Sequence, residues 1–317
     1  MGEKLELAVA ILNGAVGDYL ARTGNGLATE MSWIVDGEPR ALSREALLEV
    51  FPSEERSRTL LVLLPGLMCT EGVWTFPDGG PGYGVQLARD FGVSVLHLRY
   101  NTGLPIPDNG ESLDVFLDDL VRLYPGPIDE LVLLGFSMGG LVIRAATHVA
   151  KTRGHAWLSK VSRVFYVGTP HRGSPLERVG RVVSRVLASI PDPYTRLAAQ
   201  LADLRSDGVK DLGDGDVRNE DRARRVSSIS LRDPAHPVPL LPEIRHYLIA
   251  GALSDDPQLA AAFGDALVPL PSGTFSAPND APLPPSRVKV FTKMAHMTLA
   301  HDARVYETIV DFWKERP

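Results

Sequence analysis

Short, almost continuously apolar runs recur along the chain at Thr59–Leu64, Ser94–Leu98, Glu130–Leu134, Arg163–Val167, His246–Ala250 and Arg287–Phe291, and stretches of helical period separate them. Runs of strand length with so little polar alternation belong to strands covered on both faces. Their alternation with helices predicts an α/β fold, a mostly parallel central sheet with helices on both sides. The helices are expected at Gly84–Phe91, Ser112–Leu123, Met138–Lys151 and Ala303–Lys314. In the last, Val305, Ile309, Phe312 and Trp313 repeat at helical spacing and mark a core face. Leu5–Leu20 is apolar but interrupted by Glu6, Asn13 and Asp18, and lacks a basic start and a small-residue cleavage site. It reads as an amphipathic helix of the mature chain.

Two intervals break the alternation. Ser174–Glu243 is densely charged yet carries an apolar stripe from Leu176 to Ile190, and reads as an inserted helical cap with helices near Leu176–Ile190 and Tyr194–Leu204. Pro269–Pro285 is proline-rich and reads as a surface loop. With 29 glycines and 25 prolines among 317 residues, the chain is rich in turns, and several glycines fall directly after the predicted strands.

Composition removes several classes of function. The net charge of −6 offers no basic surplus for a phosphate backbone, so nucleic acid is not an expected partner. The lone cysteine, Cys69, cannot form an internal disulfide, and no clustered His/Cys spacing suggests zinc or another metal. No apolar segment reaches the ~18 residues of a membrane span, and a cytoplasmic location is expected by default. No cofactor motif stands out, and the oligomeric state is not legible.

The informative local feature is the strand Leu131–Leu134 running into Gly135-Phe136-Ser137-Met138-Gly139-Gly140 and then into a helix. This is G-x-S-x-G in the strand–turn–helix setting that gives the motif meaning. A turn sharp enough to lift a hydroxyl clear of the backbone needs missing Cβ atoms on either side of the serine. The following helix aims its first amides at the same point, where they favour negative charge.

Together with Pro65-Gly66-Leu67-Met68, Trp74, Gly168-Thr169-Pro170-His171-Arg172-Gly173-Ser174, Gly264-Asp265-Ala266-Leu267-Val268-Pro269 and His296, this motif resembles the serine hydrolases of the α/β-hydrolase superfamily. It is most similar to bacterial esterases and lipases of the lipase and inositol-deacylase-like branch. The resemblance runs in order from about Leu60 to Tyr306, and fits the first fifty or so residues and the insert only loosely. It implies an α/β-hydrolase fold, with Ser137 as nucleophile and an oxyanion hole formed by the amides of Leu67 and Met138. Many lipases have His-Gly where this chain has Pro65-Gly66, so a side chain that braces the loop is missing.

A serine hydroxyl needs a base, and imidazole has the suitable pKa. In the superfamily the acid and then the histidine follow the serine along the chain. Of the eight histidines, His296 in the loop after the last strand fits best, with His301, beside the helix-capping Asp302, as the alternative. Asp265, two residues before Leu267-Val268-Pro269, resembles the acid loop of bacterial lipases, with Asp255 and Asp256 as alternatives. His171 precedes the acid and reads as a wall or cap-support residue. Ser137, Asp265 and His296 are too far apart in sequence to meet unless one sheet gathers them, so residues 1–317 are expected to form a single domain, with 174–243 inserted. The expected chemistry is cleavage of a small-molecule or lipid carboxylic ester through an acyl-enzyme. An acyltransferase or thioesterase using the same residues, or a non-catalytic binding member of the fold, is the alternative.

Overall fold

The computed structural model describes residues 3–53, 56–175, 206–220, 238–275 and 283–315. Its strands are β1 (Ser32–Val35), β2 (Glu38–Arg40), β3 (Thr59–Leu64), β4 (Ser94–Arg99), β5 (Glu130–Phe136), β6 (Val161–Val167), β7 (Arg245–Ala252) and β8 (Val288–Thr292). They form one sheet in the order β2-β1-β4-β3-β5-β6-β7-β8. From β4 to β8 every pairing is parallel, while β1 runs antiparallel to both β2 and β4. The helices are α1 (Glu3–Arg22), α2 (Arg44–Val50), α3 (Tyr83–Phe91), α4 (Ile106–Leu123), α5 (Met138–Arg153), α6 (Asp207–Asp214), α7 (Pro257–Phe263), α8 (Leu270–Gly273) and α9 (Ala303–Lys314).

The six expected strands are present, and their period-2 geometry divides the core. Leu60, Val62 and Leu64 of β3 join a cluster with α4 and α5 residues such as Leu117 and Leu141. Leu61 and Leu63 join the opposite cluster with Leu87 of α3 and Ile309 of α9. Burial on both faces holds in β3, β5, β6 and β7 but not in β4, where Val95 and His97 are half-buried, nor at the edge strand β8, where Val288, Val290 and Phe291 are only half-buried. α4 and α5 pack closely on one face: a Cβ added at Gly110 would lie 2.4 Å from Ala145 Cβ.

Four expectations need correction. The β1–β2 hairpin was not anticipated; its turn is Asp36-Gly37, both with positive φ, the pair that favours a tight two-residue connection. α4 starts at Ile106 instead of Ser112, because Pro105 and Pro107 occupy its cap and first turn, where proline's missing N–H costs nothing. The expected helix Leu5–Leu20 runs from Glu3 to Arg22 but departs from helical geometry at Val16 (φ −142°, ψ 22°). The proline-rich stretch after Pro269 is not simply a surface loop, since it opens with the helical turn α8, in which Ser272 and Gly273 are buried. The helices expected at Leu176–Ile190 and Tyr194–Leu204 lie outside the described residues. Of the insert, α6 is described, and it packs at the end of the sheet where the strands finish: Asp211 Oδ2 accepts from the Ile106 amide at 2.9 Å.

Candidate active site

Ser137 joins β5 to α5 with φ 53° and ψ −121°, a strained conformation for a residue with a Cβ. Two glycines make the turn possible. A Cβ on Gly135 would lie 2.5 Å from Gly140 N, and one on Gly139 would lie 2.5 Å from the Leu64 carbonyl oxygen. Neither backbone neighbour can yield, so side chains are excluded at both positions. The turn is anchored to the next strand by the Ser137 amide, which donates to the Val167 carbonyl at 2.8 Å.

The strained serine faces His296. Ser137 Oγ lies 2.9 Å from His296 Nε2, and His296 Nδ1 lies 2.8 Å from Asp265 Oδ2. The other carboxylate oxygen, Asp265 Oδ1, accepts from the amides of Leu267 and Val268 at 3.0 and 2.8 Å. An acceptor at Nδ1 keeps the proton there and leaves Nε2 free to receive one from the serine. The two loops are also tied directly, since the His296 amide donates to the Asp265 carbonyl at 3.0 Å. All three side chains are buried. The Phe136 ring lies 5.0 Å from the imidazole, and Tyr83 donates its hydroxyl proton toward the carbonyls that follow the histidine, those of Leu299 and Asp302, both at 2.9 Å.

The alternative acids and base sit elsewhere. Asp255 is exposed and pairs with Lys293 at 2.5 Å. Asp256 caps α7 through the amides of Gln258 and Leu259. His301 Nδ1 lies 3.2 Å from the Val73 carbonyl oxygen, and Asp302 caps α9 as its sequence position suggests.

The loop after β3 is pressed against the serine, with a Cβ on Gly66 falling 2.9 Å from Ser137 Cβ. Among the described residues the amides of Leu67 and Met138 donate to no protein acceptor, so both are available to a ligand oxygen. Cys69 lies half-buried in this loop, and desolvation pushes its thiol up to about 12, which favours the protonated form at neutral pH. Sequence reasoning passed over Tyr100-Asn101-Thr102, the segment that brackets the loop. Its signal was a run of polar groups directly after an apolar strand.

His171 is buried beside Arg144, whose guanidinium donates to the His171 carbonyl at 3.0 Å and, on its other arm, to the Val238 carbonyl at 2.6 Å. Burial, with Arg144 and His246 nearby, holds its imidazole well below the usual range, so it is neutral. It packs edge-on against Tyr166 and Phe275 and supports the loop from β6 into the insert. Separately, a cleft of about 450 Å³ lined by Glu6, Glu38, Glu71 and His97 opens beside the β1–β2 hairpin and includes none of the three residues at the serine. Among the described residues no group of His, Cys, Asp or Glu could hold a metal ion, and no helix is long and apolar enough to cross a membrane.

A serine on a strained strand-to-helix turn, with a histidine and an aspartate gathered at the C-terminal edge of a mostly parallel sheet, defines the α/β-hydrolase architecture. The sequence pattern of the alpha/beta hydrolase family matches residues 61–308, and the chain belongs to that family. Among solved structures, the propeptide form of Bacillus licheniformis lipase BlEst2 is similar at 18% identity and a TM-score of 0.51, over 84% of this chain and 52% of that one. The mature form is similar at 17% identity and 0.49, over 80% and 90%. Esterase B from Lactobacillus rhamnosis is similar at 15% and 0.44, over 96% and 95%. At 18% identity the likeness to the propeptide form speaks for the fold alone. No curated protein matches the chain.

Proposed function

We propose that the protein is a serine hydrolase that cleaves carboxylic esters through an acyl-enzyme on Ser137. The observation that carries this reading is the unbroken chain from Ser137 Oγ to His296 Nε2 and from His296 Nδ1 to Asp265, at 2.9 and 2.8 Å. His296 removes the serine proton as Oγ attacks the ester carbonyl, and the amides of Leu67 and Met138 receive the oxyanion. The intermediate collapses, the alcohol leaves with the proton from His296, and water hydrolyses the acyl-enzyme by the same steps. Asp265 holds the imidazole in the productive tautomer and stabilises its cationic form.

In this reading residues 1–317 form one domain, and the insert 174–243 borders the substrate. α6 supports that placement, because a Cβ on Gly208 would lie 3.1 Å from Met138 Cε and 2.3 Å from the Thr102 carbonyl oxygen. The test is labelling by a fluorophosphonate probe: the native chain should label and Ser137→Ala should not. Labelling that persists in the variant would remove Ser137 from the mechanism. Turnover of esters of increasing acyl length, beside a matched thioester and an added alcohol acceptor, separates ester hydrolysis from thioester cleavage and acyl transfer.

A further inference from the structure

The Leu67 amide is held in place by groups that play no part in the proposed reaction, and the role inferred for them rests on the esterase reading. A trans peptide is planar, so fixing its carbonyl also fixes the direction of its N–H. In the peptide that carries the Leu67 N–H, the Gly66 carbonyl accepts from the Cys69 amide at 3.2 Å. In the peptide before it, the Pro65 carbonyl accepts from the Tyr100 hydroxyl at 2.9 Å. In the peptide after it, the Met68 amide donates to Thr102 Oγ1 at 3.1 Å. Met68 itself sits at φ 60°, a left-handed conformation that a side chain takes up only where its surroundings impose it. Tyr100 and Thr102 both follow the end of β4 and are buried, so one short segment grips both flanks of the Leu67 amide.

That segment rests on the N-terminal helix. Asn101 Nδ2 donates to the Gly17 carbonyl at 2.9 Å, and a Cβ on Gly17 would fall 1.8 Å from Asn101 Oδ1. A Cβ on Gly14 would fall 2.3 Å from Met68 Cγ and 3.1 Å from Thr102 Oγ1. α1 departs from helical geometry at Val16, between these glycines, and the Gly14 carbonyl accepts from Ser206 Oγ at 2.7 Å.

We propose that Thr102 is a positioning residue for the Leu67 oxyanion amide, acting through the Met68 peptide with α1 as its backing. It braces the loop in a chain where position 65 is proline and has no side-chain donor. Charge develops on the carbonyl oxygen only during attack, so a donor displaced by about 1 Å can cost up to about 10²-fold in rate while leaving ground-state binding nearly intact.

Thr102→Val keeps the shape and removes the acceptor, whereas Thr102→Ser keeps the acceptor. On a short soluble ester Thr102→Val should lower kcat at least about tenfold with KM within about twofold, and Ser137 phosphonylation should slow in parallel. Thr102→Ser should stay close to the native rate and melting temperature, whereas Thr102→Val, which leaves the buried Met68 N–H unpaired, should melt a few degrees lower. Should Thr102→Val not fold, Thr102→Cys keeps a weaker acceptor and should show an intermediate loss of kcat. The proposal is overturned by an unchanged kcat in the valine variant (the cysteine variant where the first does not fold), by a loss that falls on KM, or by equal losses in the serine and valine variants. A native protein that neither labels at Ser137 nor turns over esters overturns the esterase reading and this inference with it, whereas an active native protein beside an unaffected Thr102→Val overturns this inference alone.

Discussion

Asp265 shows how much of the proposed site depends on single atoms. One carboxylate oxygen is fixed by two backbone amides and the other faces His296, so the aspartate cannot rotate without losing two hydrogen bonds. Asp265→Asn keeps the volume but can present an amide N–H to Nδ1, which favours the wrong imidazole tautomer. The expected outcome is a fall in kcat of about 10³–10⁴ with little change in KM or melting temperature, measured by ester turnover and thermal unfolding. Gly139→Ala tests the turn itself. Its methyl would meet the Leu64 and Pro65 carbonyl oxygens at 2.5 and 2.7 Å, displacing the loop that carries Leu67. Ester turnover and phosphonylation should both fall by at least about 10²-fold, the scale of losing one oxyanion donor. At this scale the sequence was highly legible where function forces residue type and spacing together, as at Gly135, Ser137 and Gly139. It was silent on Thr102 and Tyr100, because hydroxyls that brace a neighbouring loop carry no spacing rule and acquire meaning only when β4 is placed beside β3.

At the scale of elements, buried parallel strands announce themselves by continuous apolar runs, and the boundaries of β3 are those the sequence predicts. The β1–β2 hairpin was missed because β2, Glu38–Arg40, is short, polar and mostly exposed, leaving the Asp36-Gly37 turn as its only signal. The start of α4 was missed because prolines read as breakers although the first helical turn accepts them. Beside its apolar contacts, α1 is tied to the sheet by a partly buried ion cluster that local sequence does not reveal. The Arg99 guanidinium on β4 donates to Glu6 of α1 at 2.8 Å and to both oxygens of Glu71, at 3.0 and 2.6 Å. Arg99→Ala would leave two carboxylates close together without the cation between them. The expected cost is about 3 kcal/mol, read as a lower denaturant midpoint in chemical unfolding. A midpoint unchanged by the substitution would show that α1 is held without the ion cluster, by its apolar contacts and its hydrogen bonds to Asn101 and Ser206.

For the whole molecule, the fold couples its stability to pH through histidines that the proposed chemistry does not use. Burial pushes His97 and His246 down from 6.5 to about 4, and holds His171 well below its usual range. The unfolded chain takes up protons on the His97 and His246 rings near 6.5, whereas the folded chain refuses them on these two until about 4. Between those values the unfolded state binds more protons, so unfolding free energy rises with pH. The contribution is complete above about 6.5 and is lost as pH falls toward about 4, on the order of 1–3 kcal/mol for each ring. The melting temperature should therefore fall steadily across that window. His97 isolates one share of the effect, since among the described residues its buried Nδ1 has no hydrogen-bond partner. His97→Leu removes a ring that must stay neutral in the folded state, so its melting temperature should fall less steeply with acid than that of the native protein while the two stay comparable at pH about 7. Parallel curves for the two proteins across the window would mean that His97 titrates alike in the folded and unfolded chain, and the acid sensitivity would then belong to the other buried groups.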